Sequence, residues 1–197
     1  MDYNEIRFTA VDELRTLLGG VDARQVQDLV DALDAGGSVF VAGSGRSGLA
    51  MRAFAMRLMH VGIAAHVVGD VTAPAFAPTD ILVVGSGSGA TSALVPLAEK
   101  AKRLGGRLAI LTMDPASRIG RMADVIVRIP APAPKVSPHA PAGTAPEAAT
   151  GASSSAQPGA SLFEQGLWVL LDSCTMLLMA KKSTAAEQIF RRHANLE

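Results

Sequence analysis

Apolar residues recur at helical spacing through the first 35 positions: Ile6, Val11, Leu14, Leu17 and Leu18, then Val26, Leu29, Val30 and Leu33. Gly19-Gly20 interrupts that pattern and predicts two helices with a break between them. Beyond Gly36-Gly37 the period changes. Short β-type runs at 38–42, 64–68, 81–84, 107–111 and 125–129 predict strands. Helical patterns span 49–61 and 91–104 between them, and a short helix is expected over 117–123. Short apolar strands alternating with helices dictate an α/β fold, with a parallel sheet covered on both faces.

From 130 to 160 the periodicity stops and Pro, Ala, Ser and Gly dominate. Such a segment buries too little apolar surface to offset its ordering entropy, so it predicts a flexible loop. Lys135, His139 and Glu147 lie inside it and are assigned no chemistry. Order resumes with an apolar helix over 162–180. Its longest apolar stretch, 167–180, is interrupted by Asp172 and falls short of the roughly 20 residues of a membrane span. It is expected to be a buried core helix. A short helix over 185–192 and the tail His193-Ala194-Asn195-Leu196-Glu197 follow. At 197 residues, against roughly 100–200 for a typical domain, the chain reads as one domain, 1–197. The N-terminal helices occupy 1–36 and the C-terminal helices 161–197.

Charge narrows the partners. Eighteen basic and 18 acidic side chains cancel, so no general attraction to nucleic acid or to an anionic membrane is expected. The N-terminus has no basic region followed by an apolar stretch and does not read as a secretory signal. The single cysteine, Cys174, cannot form an intrachain disulfide and sits in an apolar run, where it is expected to act as a small buried hydrophobe. Together these fit a cytoplasmic protein. No metal-ligand cluster is evident, and neither metal nor cofactor is expected.

Two strand ends carry similar clusters: Gly43-Ser44-Gly45-Arg46-Ser47-Gly48 and Gly85-Ser86-Gly87-Ser88-Gly89-Ala90-Thr91. In an open α/β sheet, ligands collect at the carboxyl ends of the strands, where helix N-termini present unpaired N–H groups. Glycines admit an anion close to the backbone, and Ser86, Ser88 and Thr91 offer hydroxyls to phosphate oxygens. A phosphomonoester cradle is the favoured reading over ordinary turns and N-caps. The first cluster also fits G-x-G-x-x-G, with Asp70 where a ribose-binding acid would stand, but that pattern alone is weak evidence for a dinucleotide.

Glu164 and Asp172 are the only carboxylates of the 162–180 helix. Burial there would favour a proton-transferring group, although Glu164 also suits a helix start as a simple cap. Asp172 is expected to be a structural partner of an arginine or hydroxyl. Arg46 adjoins the cradle and is placed to meet phosphate, whereas Arg52 and Arg57 are expected to pair with carboxylates at a subunit contact. His193 alone would read as a solvated terminal residue.

At this point the residues resemble a family. The run Val39-Phe40-Val41-Ala42-Gly43-Ser44-Gly45-Arg46-Ser47-Gly48, the segment from Ala53 to His60, the Ser86-Gly87-Ser88-Gly89 loop, Ser161-Leu162-Phe163-Glu164-Gln165 and the Arg192-His193-Ala194-Asn195-Leu196-Glu197 ending together look like 6-phospho-3-hexuloisomerase, a member of the sugar isomerase (SIS) group. The resemblance implies a three-layer αβα fold around a five-stranded parallel sheet. It also implies interconversion of D-arabino-3-hexulose 6-phosphate and fructose 6-phosphate through a cis-enediol, in the ribulose monophosphate route of formaldehyde fixation. A homotetramer with shared active sites follows from it too.

Carried over by motif, Ser86, Ser88 and Thr91 hold phosphate with Gly87 and Gly89, and Ser47, Gly45 and Arg46 support phosphate or sugar. Glu164 is the base, and His193 of a neighbouring subunit assists ring opening. Two features depart from the family: Ala90 stands where a Glu is common, and the 130–160 segment is longer than usual. The alternatives are another SIS sugar-phosphate isomerase or a non-catalytic sugar-phosphate sensor. The region before the first strand lacks the length and basic charge of a DNA-binding domain, which disfavours the sensor.

Overall fold

The structure, a computed structural model, describes residues 2–132 and 155–196. Helices α1 (Tyr3–Gly19) and α2 (Ala23–Asp34) form the N-terminal pair, and Asp2 and Glu5 close a reciprocal capping box at the start of α1. Then come β1 (Val39–Gly43), α3 (Gly45–His60), β2 (Ala65–Val67), β3 (Ile81–Gly85), α4 (Val95–Arg103), β4 (Arg107–Thr112), a 3-10 turn (Gly120–Met122) and β5 (Val125–Arg128). Helices α5 (Ser161–Lys181) and α6 (Ala186–Phe190) complete the fold.

All five strands are parallel, in the order β2-β1-β3-β4-β5. Their period-2 alternation feeds two separate cores. Val41, Val83, Ala109, Leu111 and Val127 face α2, α3 and α5, packing on residues such as Leu29, Phe54 and Leu167. Phe40, Ala42, Leu82, Val84, Leu108 and Ile110 face the other way, onto α4 and Ile119. The central strands are buried on both faces, which is why they read as unbroken apolar runs.

Several elements differ from the sequence expectation, among them α3, which begins at Gly45 and not at 49, and α6, which spans only Ala186–Phe190. Helix α4 begins at Val95, not at 91, because Pro96 lacks an N–H and is confined to a first turn; residues 91–94 form a turn instead. The helix expected over 117–123 shrinks to the 3-10 turn at Gly120–Met122. Helix α5 begins at Ser161 and its 21 residues meet the length and hydropathy of a bilayer span, where the apolar run alone fell short. Half of that window is buried in the domain, among the side chains of the larger core, so α5 is the core helix that the sequence implied. The single-domain boundaries and the 130–160 loop remain expectations; residues 133–154, including Lys135, His139 and Glu147, lie outside the described residues.

Candidate active site

The chain reverses its direction of travel across the sheet at β1, passing first to β2 and then to β3 on the other side. That topological switch point is where open α/β sheets bind ligands. Gly43 and Gly85 are register partners there, so the two glycine and hydroxyl clusters lie side by side. The first loop is held tight by backbone contact: a Cβ on Gly48 would stand 2.8 Å from the Gly43 carbonyl oxygen, closer than any real side chain comes. This seats the first turn of α3 on the end of β1. Ser47 lies buried in that turn, and its hydroxyl has no hydrogen-bond partner among the described residues.

The second loop is fixed from several directions. Ser86 donates its N–H to the Leu111 carbonyl (3.1 Å), and its hydroxyl lies 3.0 Å from that of Thr91. Ser88 Oγ accepts from the Ala90 N–H (3.3 Å), and Gly89 donates to the Ser86 carbonyl (3.1 Å). Gly89 has φ +56°, and a Cβ there would fall 2.0 Å from Ser117 Oγ, so both conformation and space demand glycine. The N–H groups of Ser88, Thr91 and Ser92 have no acceptor among the described residues. Ser88 and Ser92 are exposed at this mouth. The arrangement suits an anion, as unpaired N–H groups ahead of a helix do.

Helix α5 starts over this mouth. A Cβ on Gly87 would sit 3.3 Å from Phe163 Cδ1, which places the first turn of α5 against the second loop. Glu164, next to Phe163, is mostly shielded and accepts a hydrogen bond from Arg46 Nε in the first turn of α3. It caps nothing: the residue ahead of α5, Ala160, leaves the helix start without a side-chain cap among the described residues. Both glycine loops and Glu164 thus converge on one mouth. Beside the first loop is a cavity of about 270 Å³, lined by Gly43, Gly45, Gly48, Arg52, Val67 and Leu94.

Several assignments change. Arg46 pairs with Glu164, a partner the sequence did not indicate. Arg52 finds its carboxylate within the chain, at Asp70 (3.1 Å), and so Asp70 is engaged where a ribose would have needed it. Asp172 is exposed and has neither ion pair nor hydrogen bond among the described residues, because its helix turns that face outward. Arg57 likewise forms no ion pair among the described residues. Cys174 is fully buried, and burial pushes its thiol pKa up to about 12, as fits a small hydrophobe. One contributor was missed. Thr112, a hydroxyl ending an otherwise apolar strand, is fully buried and donates to the Gly87 carbonyl (3.0 Å), fixing the second loop from β4.

His193 lies elsewhere. Its ring stacks on that of His60, with centroids 4.1 Å apart, at the far end of α3. Arg192 donates to the His60 carbonyl (2.9 Å) and pins the tail there. From Arg46 to His60 is roughly 20 Å along a helix rising about 1.5 Å per residue, so His193 cannot reach Glu164 of its own chain. Burial, then the nearby His193 and Arg57 charges, lower the His60 pKa below its usual 6.5. His60 Nδ1 is buried without a hydrogen-bond partner among the described residues.

A parallel sheet whose switch point carries two glycine and hydroxyl loops beneath a carboxylate is the layout of a phosphosugar-handling α/β domain. The SIS domain family model matches residues 33–152. A 3-hexulose-6-phosphate isomerase of Bacillus subtilis is 40% identical over 187 residues, covering 95% of each chain. One of Mycobacterium gastri is 42% identical over 186 residues, covering 94% of this chain and 87% of the relative. Among solved structures, a Methanococcus jannaschii protein whose crystal structure was read as implying 3-hexulose-6-phosphate isomerase activity superposes with a TM-score of 0.79 at 25% identity, covering 98% of this chain and 99% of that one. The chain belongs to the SIS domain family and, within it, to the 3-hexulose-6-phosphate isomerases, an enzyme family.

Proposed function

We propose that the protein interconverts D-arabino-3-hexulose 6-phosphate and fructose 6-phosphate in the ribulose monophosphate route, with Glu164 as the proton carrier. The observation that carries this reading is the convergence of Glu164 with both glycine loops at the β1/β3 switch point. The phosphate rests on the Ser88, Thr91 and Ser92 N–H groups and the Ser86, Ser88 and Thr91 hydroxyls, with Gly87 and Gly89 giving close access. Gly45 and Ser47 line the sugar side.

Starting from open-chain fructose 6-phosphate, Glu164 removes the proton from C3. The electrons move toward the C2 carbonyl oxygen and give a 2,3-enediolate. Proton exchange between the two oxygens, followed by return of the carbon-bound proton to C2 on the same face, gives the 3-ketose. One carboxylate serves both transfers, and a positioned base contributes typically about 10²–10⁴-fold. Arg46 orients that carboxylate and supplies positive charge beside the developing enediolate. No step requires a metal or nucleotide cofactor.

In this reading His193 acts on the cyclic sugar of a neighbouring subunit; its place at the opposite end of α3 from its own Glu164 supports a shared site. The reading includes a homotetramer with shared sites, working in the cytoplasm. Exposed apolar side chains on two helices support assembly: Leu49 and Met56 on α3, and Trp168, Val169 and Met176 on α5. The test is turnover. Purified protein is incubated with fructose 6-phosphate and a panel of phosphorylated ketoses and aldoses, and 3-hexulose formation is followed. Conversion of fructose 6-phosphate to the 3-ketose supports the reading; turnover of a different sugar phosphate alone, or binding without turnover, overturns it.

A further inference from the structure

We infer that Glu13 of α1 is a positioning residue that holds the first turn of α5, and with it Glu164, over the glycine loops. This rests on Glu164 being the proton carrier. Glu13 lies 151 positions before Glu164 in sequence, yet it collects the end of the segment leading into α5. Its Oε1 accepts from the Ala156 N–H (2.7 Å), and its Oε2 accepts from the Ser155 hydroxyl (2.8 Å) and from Gln157 Nε2 (3.1 Å). Ser155 Oγ in turn accepts from the Gln157 N–H (3.0 Å). Gln157 Oε1 then accepts from Gln165 Nε2 (2.6 Å), and Gln165 is the residue after Glu164. A continuous chain of hydrogen bonds therefore runs from α1 to the first turn that carries the base.

Two further facts give this chain its weight. The start of α5 has no side-chain cap, so its first turn would fray unless held by other means. Leu162 and Phe163 anchor one face in the core, while Glu164 and Gln165 lie on the partly exposed side. Apolar packing joins α1 to α5 further along, where Leu17 lies against Gly166 in the larger core. Beside Glu13 itself stands a cavity of about 490 Å³, lined by Thr9, Asp12, Leu17, Pro130, Ser155 and Leu162. The contacts that Glu13 makes with residues 155–157 across it are polar. Burial of Glu13, which would raise its pKa, is outweighed by the bonds from Ala156, Ser155 and Gln157, so the carboxylate is held in its charged, accepting form.

The test compares the parent with Glu13→Ala, Glu13→Gln and Gln157→Ala, by steady-state kinetics on fructose 6-phosphate and by amide hydrogen exchange over residues 157–168. Glu13→Ala is expected to speed exchange in the first turn of α5 and to lower kcat on the order of tenfold, while KM changes less than about twofold, because misplacing a base costs rate more than ground-state binding. Glu13→Gln recovers part of the loss, since its amide still accepts from Ala156 and can donate to Ser155 Oγ. Gln157→Ala, which alters no core residue, reproduces the kcat defect and decides the matter should Glu13→Ala fail to fold. Parent kcat and parent exchange in these variants would overturn the inference, as would a loss of protection spread evenly over all helices. Should the parent not turn over fructose 6-phosphate, the isomerase reading fails, and unchanged exchange at 161–166 then separately overturns the hold on α5.

Discussion

Arg46 and Glu164, 118 residues apart in sequence, meet as an ion pair that joins the first turns of α3 and α5. The arginine is largely exposed, and exposed pairs of this kind contribute about 0–1 kcal/mol to stability. Its value therefore lies in aiming the carboxylate. Arg46→Met is expected to leave the thermal midpoint close to the parent value and to lower kcat by at least about tenfold, as expected for a displaced catalytic group. Thermal unfolding alongside initial-rate kinetics checks this; a large fall in melting temperature with unchanged kcat would make the pair structural.

The phosphate loop should be read out by binding rather than by proton chemistry. Thr91→Val removes a hydroxyl donor to a charged acceptor, typically worth about 1.5–3 kcal/mol, and leaves Ser86 Oγ without its partner. KM for the sugar phosphate and the inhibition constant of inorganic phosphate are both expected to rise, while solvent deuterium exchange at saturating substrate stays near the parent rate. Unchanged phosphate inhibition would move the anion site away from this loop.

His60 gives the fold a pH signature. Its pKa is lowered in the folded protein, chiefly by burial, so the unfolded chain takes up the proton first. Stability then falls as pH drops below about 6.5, and the loss levels off once pH passes below the folded pKa. Asp34 acts in a different window. The Lys182 hydrogen bond holds its pKa below 3.8, so its contribution is present above that value and is lost only in stronger acid. Melting temperatures between pH 7.5 and 5.5 are expected to decline in the parent and to decline less in His60→Phe, which keeps an aromatic ring against His193. Equal declines in the two proteins would contradict this.

Much of the architecture was legible because the central parallel strands, buried on both faces, leave apolar runs at β1, β3 and β4, while the half-buried edge strand β2, interrupted by His66, was marked by its β-type residues alone. The glycine loops were legible for a similar reason: at Gly89 only glycine satisfies both φ and space. Charge pairing was not legible. The sequence offered several carboxylates to Arg46 and Arg52, and the choices of Glu164 and Asp70 depend on which helix starts face each other. Residues 155–157 read as part of a featureless segment because their order comes from Glu13, a long-range partner that local composition cannot reveal. The position of His193 followed from the tail docking on α3, which no periodicity encodes in so short a stretch.

The central claim is that Glu164 carries the proton, and Glu164→Gln tests it most directly. The amide keeps the size of the side chain and can still accept from Arg46 through its oxygen, but it cannot take a proton from carbon. Each protein is incubated in deuterium oxide with fructose 6-phosphate, and deuterium at C3 is followed by NMR. The variant is expected to fold and bind phosphate like the parent while its exchange falls by about 10²–10⁴-fold, the usual contribution of a general base. Exchange at C3 at the parent rate would contradict the account and turn the search for the base to Asp70, Asp172 or His193.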